Sequence, residues 1–143
     1  MDEGIESRII IHEILKSIKL KSLRFDNIFL NKTNNTKLSP NSKRFIHNAV
    51  LTSLRNFILI NKIIKKLVRK IDFNSDAYFL LLSSICQIIF LNIKEYAVVN
   101  SAVEISKNKK YNTSSRLING TLRNLIRQRN KLKKIKMNFT DLP

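Results

Sequence analysis

The chain has 143 residues, enough for one domain and too few for two of ordinary size. It is 43% hydrophobic with only two glycines and two prolines, which argues against an all-β protein and for helices around a buried core. Twenty-seven Lys and Arg against ten Asp and Glu give a net charge of +17, a self-repulsion that a polyanion offsets.

Nucleic acid is the usual partner of such a chain, and an anionic membrane surface the second. Ile, Asn and Lys all have A/T-rich codons, so part of the lysine excess reflects coding composition. The single cysteine, Cys86, excludes a disulfide framework and suggests a reducing compartment. The acidic start MDEGIESR lacks the basic and apolar segments of a signal peptide. The most apolar stretch, Ala77 to Leu91, is shorter than the ~20 residues a bilayer span needs and carries Ser83, Ser84 and Gln87. A soluble, cytoplasmic protein with no membrane contact is the expectation.

In chain order, Ser7, Ile10, Ile11, Ile14 and Ile18 recur at helical spacing and predict a first helix over about 5–20. Arg8, His12, Lys16 and Lys19 gather on its other face. A short second helix, about 22–30, carries Leu23, Phe25, Ile28 and Phe29, and NKTNNTK reads as a polar loop. Ser39 is placed as the N-cap of a third helix with Pro40 at its first position, where the missing N–H costs nothing. Apolar periodicity runs from Phe45 to Val68, long for one helix, so two helices are expected to meet near Asn56 or Asn61. The next helix is capped by Asn74 or Ser75, has Asp76 in its first turn, and ends near Asn92. Another starts from about Ala97, with Val98, Ala102 and Ile105 on one face. The last is capped by Asn112 or Thr113.

That last helix is the most informative. At 100° per residue Leu117, Ile118, Thr121, Leu122, Leu125 and Ile126 share one side. Arg116, Arg123, Arg127 and Lys131 share the other, with Gly120 among them. Guanidinium groups pair with phosphate through two parallel hydrogen bonds, and the plain alternative is a solvated face. Gly120 either admits a backbone or a phosphate between the arginines or reflects a packing contact or drift. After Asn130 the sequence is basic and then polar. The domain is therefore placed at 5–130, with 131–143 as a tail or linker.

No catalytic or metal-binding constellation stands out. His12 and His47 have no Cys, Asp or second His at metal spacing, and no Gly-rich phosphate loop is present, so no cofactor and no small-molecule substrate is expected. Cys86 sits among Ile85, Ile88 and Ile89, where a thiol behaves as a small apolar group. Gln87 and Glu104 read as groups that tie helices together. Tyr96 and Tyr111 flank the sixth helix, near the basic segment KNKK, Lys107 to Lys110, and are candidates for stacking on unpaired RNA bases or for core packing.

Four segments, in order, resemble the NusB family of all-helical RNA-binding domains: SPNSKRFIHNAVLTSLR, LLLSSICQIIFL, YAVVNSAVEISK and RLINGTLRNL. The resemblance covers roughly 6–129 and implies an all-α, compact NusB-like bundle of about seven helices. It further implies an RNA partner, either ribosomal RNA or a single-stranded transcript, and a ribosomal or transcription protein as a possible second partner. One branch of the family is a free-standing transcription antitermination factor that begins with an arginine-rich segment. Here only Arg8 stands in that region. SRIIIHEILKSI followed by SLRFDNIF is more similar to the N-terminal domain of RsmB-type 16S rRNA cytosine-5 methyltransferases, a non-catalytic part whose enzyme domain is absent from this chain. The residues expected to face RNA are Arg8, Arg44, Arg55, Arg116, Arg123 and Arg127. Arg44, Arg55 and Arg123 have a structural ion-pair role as the alternative.

Overall fold

The computed structural model of the protein describes residues 2–34 and 36–134, with side chains as far as Lys131. Among these residues there are seven helices and no strand: α1 (Glu3–Lys21), α2 (Phe25–Thr33), α3 (Pro40–Arg55), α4 (Phe57–Leu67), α5 (Asp76–Ile89), α6 (Glu95–Ser106) and α7 (Ser115–Lys134). The all-α bundle expected from composition and periodicity is the fold.

Local chemistry sets most of the helix ends. Asp2 caps α1, its carboxylate accepting from the amides of Gly4 and Ile5. Ser22 ends that helix in the left-handed region at φ 53°, and α2 therefore starts at Phe25, later than periodicity suggested. Ser39 caps α3 with Pro40 in its first turn, and Glu3 accepts from the Ser39 amide at 2.6 Å, tying the starts of α1 and α3 together. The long apolar run breaks at Asn56, whose side-chain amide donates to the Thr52 carbonyl at 2.9 Å. An asparagine that bonds the backbone four residues earlier competes with helix continuation. Ser75 caps α5. Neither Asn112 nor Thr113 caps α7: the Ser114 hydroxyl accepts from the Leu117 amide at 3.1 Å, being the one placed three residues before a free amide of the first turn. The helix runs to Lys134, past the boundary expected at 130, and residues 135–143 of the expected tail lie outside the described residues.

α5 is the central element. It packs against α1, α3, α4, α6 and α7, and every side chain from Ala77 to Ile88 is buried. Such a helix must be apolar all round, as this one is. Each fully buried Leu, Ile or Phe contributes about 1.5–3 kcal/mol relative to exposure. Polar groups in this layer find partners within α5, where Ser83 donates to the Leu80 carbonyl and Gln87 to the Ser83 carbonyl, and on neighbouring helices. Tyr78 donates to Asn61 at 2.8 Å, and burial pushes its phenol up to about 12. Cys86 contacts the Ala49 carbonyl and its thiol is pushed up by burial to about 11, as a packing residue should be.

One expectation for α1 is corrected. His12 does not lie on a polar face but is only 1% exposed, with Nε2 3.0 Å from Asp76 and the ring edge-on to Tyr111 and Phe79. α1 is covered by α2, α3, α5 and α6, so its buried arc is wider than the isoleucine stripe alone. Glu104 is exposed, and Gln87 is the one of the pair that joins helices.

Candidate nucleic-acid interface

α7 presents the clearest basic face. Arg116, Arg123 and Arg127 are all exposed, and α7 contains no acidic residue. None of the three forms an ion pair among the described residues; Arg123 donates to Asn119 on its own helix at 2.9 Å. The three span eleven residues of one helical face, about 16 Å at 1.5 Å per residue. Exposed Gly120 sits between Arg116 and Arg123 in register, and a methyl group added there would meet nothing within 4 Å among the described residues. The fold itself therefore gives no packing reason for glycine at this position.

The other three sequence-selected arginines are placed differently. Arg44 and Arg55 are both exposed, at the two ends of α3, also eleven residues apart and so on one face of that helix. Arg44 donates to Asn41 within its own first turns. Arg8 is half-buried: its Nε donates to Gln87 at 2.8 Å, one Nη reaches the Gly4 carbonyl, and the guanidinium lies 5.4 Å from the Phe45 ring centroid. Desolvation lowers its pKa, with Asp2 opposing. Thus Arg8 joins α1 to α5 and α3, while the five exposed arginines divide between α3 and α7.

A second basic region was not singled out by periodicity. Between Asp26 and Asp72 the chain has no carboxylate, yet it carries Lys62, Lys65, Lys66, Arg69 and Lys70 on or just after α4. These five are exposed. The signal available in the sequence was the gap in acidic residues, not the spacing of the basic ones.

Arg129 takes a different role from the arginines of the stripe. It follows Leu122 and Leu125 at core spacing and turns inward, donating to the Ile88 carbonyl at 3.1 Å and to Asn92 at 2.9 Å, with Glu95 at 3.6 Å. A cation at the end of α5 offsets the partial negative charge of its last carbonyls. Arg129 thereby locks α7 to the α5–α6 turn.

The lysines of α1, α2 and the α6–α7 loop are mostly engaged. Lys16, Lys21, Lys32 and Lys110 line a 260 Å³ hollow with His12, Glu13 and Asp76. Lys16 pairs with Asp76 at 2.8 Å, and Lys110 and Lys32 pair with Glu13 at 3.1 and 3.8 Å. For both carboxyls burial acts upward but is outweighed: hydrogen bonds from Lys16 and His12 lower Asp76, and Lys110 and Lys32 lower Glu13. His12 is lowered, desolvation being the main cause. Tyr111 is buried and donates to Glu13 at 3.2 Å, which takes it out of consideration as a free stacking surface. No group of three or more His, Cys, Asp or Glu among the described residues is arranged to hold a metal, and no described helix is long and apolar enough to cross a membrane.

Fold and site together define a small all-helical module with unneutralised arginine faces. A family model for the NusB family matches residues 5–127, nearly the whole bundle, and the chain belongs to that family. A protein chain in the crystal structure of a plectonemic RNA supercoil has a similar fold, with a TM-score of 0.78 over 90% of this chain and 96% of that one at 19% identity. No curated protein matches the sequence.

Proposed function

We propose that this protein is a non-catalytic RNA-binding module whose principal contact is the exposed face of α7. The observation that carries this reading is the set Arg116, Arg123 and Arg127: three exposed guanidinium groups in register, on a helix with no acidic residue, in a chain of net charge +17. Such groups are well matched to phosphate oxygens and gain most when a polyanion relieves their mutual repulsion. Arg44 and Arg55 extend the contact to α3, and Arg8 supports the fold beneath it. Membership of the NusB family and the likeness to a chain crystallised with supercoiled RNA support the reading. Within that family the resemblance of the first two helices points to service in ribosomal RNA modification, as the RNA-holding part beside a cytosine-5 methyltransferase domain. The alternative role is transcription antitermination.

Competition binding tests this choice. The full chain, offered 16S-derived single-stranded RNA against unrelated RNA of equal length and against a transcript leader element, is expected to prefer the ribosomal fragment. Preference for the leader element moves the role to transcription. Equal affinity for all three leaves a general RNA-binding module without either role.

A protein-docking role is a second reading favoured by a separate observation. An apolar groove of 370 Å³ between α1, α3, α4 and α5 is lined by Leu15, Ile18, Leu54, Phe57, Phe79 and Leu82, with Lys19 at its edge. Ile58 nearby on α4 is 71% exposed. Exposed apolar surface beside basic residues is what docking of a second protein uses.

A further inference from the structure

Tyr96 is exposed to 67%, and among the described residues no other tyrosine or phenylalanine is exposed. Leaving such a ring in water forgoes the burial that makes aromatics valuable in a fold. Among the described residues its ring and hydroxyl take part in no hydrogen bond, ring pair or cation–π contact. It stands in the first turn of α6 and lines an open hollow with Asn92, Ile93, Lys94, Glu95 and Arg129.

The hollow has a fixed frame. Asn92 turns the chain in the left-handed region at φ 53°, and the Leu91 and Ile93 amides donate back to the Cys86 and Gln87 carbonyls at 3.1 and 3.0 Å. Arg129 closes one side through Asn92 and the Ile88 carbonyl. Exposed Lys94, two residues before Tyr96, brings an ammonium to the lining of the same hollow. A flat, unoccupied aromatic face, a neighbouring cation and a rigid turn beneath them match a nucleobase with its phosphate. A base inside a duplex is already stacked on both sides and cannot use such a face, whereas an unpaired base can.

We infer that Tyr96 is a stacking platform for an unpaired RNA base, with Lys94 meeting the adjoining phosphate, so that the RNA this protein binds is single-stranded at this point. The inference rests on the RNA-binding reading above and adds the place where a base is held.

The chain contains no tryptophan, so Tyr96→Trp creates a single fluorescent reporter at the site. With the full chain and a mixed-sequence single-stranded 12-mer RNA, the reporter should be quenched on binding. An equally saturating duplex of the same sequence should leave it unquenched. In anisotropy titrations Tyr96→Ala should weaken single-strand binding by roughly tenfold or more and leave duplex binding unchanged, while Tyr96→Phe should bind as the wild type does. If the wild-type chain binds single strands but the reporter stays unquenched at saturation, or Tyr96→Ala binds unchanged, the stacking inference is overturned and the RNA-binding reading stands. If the wild-type chain binds no RNA, both fall together.

Discussion

Gly120→Ala separates what the fold requires at the centre of α7 from what a ligand would require. Gly120 lies in mid-helix, is exposed, and has open space where the methyl group would go. It does not adopt a positive φ, so alanine fits the same backbone. The substitution restricts the unfolded chain and costs nothing in native contacts, which is worth about 1 kcal/mol in an exposed helix interior. For a domain of this size that corresponds to a Tm increase of roughly 3–6 °C. Urea unfolding should show a higher midpoint at unchanged slope. A variant less stable than the wild type would refute the reasoning, because it would mean that the helix depends on the missing side chain. The second readout is RNA affinity at fixed salt. A phosphate held between Arg116 and Arg123 approaches the backbone at Gly120, so the methyl group should weaken binding while it strengthens the fold. Opposite signs on the two readouts are the expected result, and unchanged affinity would place Gly120 outside the contact.

Two further expectations concern the fold beneath the interface. Arg8→Ala leaves the Gln87 side-chain oxygen, 1% exposed as a residue, without its donor and should destabilise the protein by about 1–3 kcal/mol in urea unfolding; a loss below measurement error would contradict the bridging role. Stability should also fall on acidification in two stages. His12 is held neutral by burial, so the unfolded chain takes up the proton first as pH drops below ~6.5, and this stage should disappear in His12→Gln. Asp76 and Glu13 are lowered in the fold, so their contribution is present above the ordinary carboxylate range and is lost as pH falls through it. A urea midpoint that stays level between pH 7.5 and 5 in the wild type would contradict the first stage.

The sequence made the helices legible wherever a cap or a clean apolar stripe marked them. Ser39–Pro40, Ser75 and the break at Asn56 follow from residue chemistry that acts within one turn. The arginine stripe of α7 was legible for the same reason, since its register depends only on helical geometry. What could not be read was anything set by a neighbouring element. His12 looked polar because its second covering layer, α5 and the α6–α7 loop, is 64 to 99 positions away: Asp76 and Tyr111 make its surroundings. Arg129 drew no assignment from the sequence because its acceptors, Ile88 and Asn92, lie at the end of α5 and just after it rather than on its own helix. Tyr96 and Tyr111 were indistinguishable as tyrosines flanking the sixth helix, and only packing makes Tyr111 a core residue and Tyr96 an open ring.

The most direct test of the central claim is the salt dependence of RNA binding for the wild-type chain and for a variant in which Arg116, Arg123 and Arg127 are all changed to Ala. Each phosphate contact with a single strand contributes about −0.7 to the slope of log K against log salt. The wild type should show a steep slope, and the triple variant should be weaker at every salt concentration with a slope shallower by about 2. A triple variant that folds normally and keeps both the affinity and the slope of the wild type would contradict the assignment of α7 as the RNA-binding face.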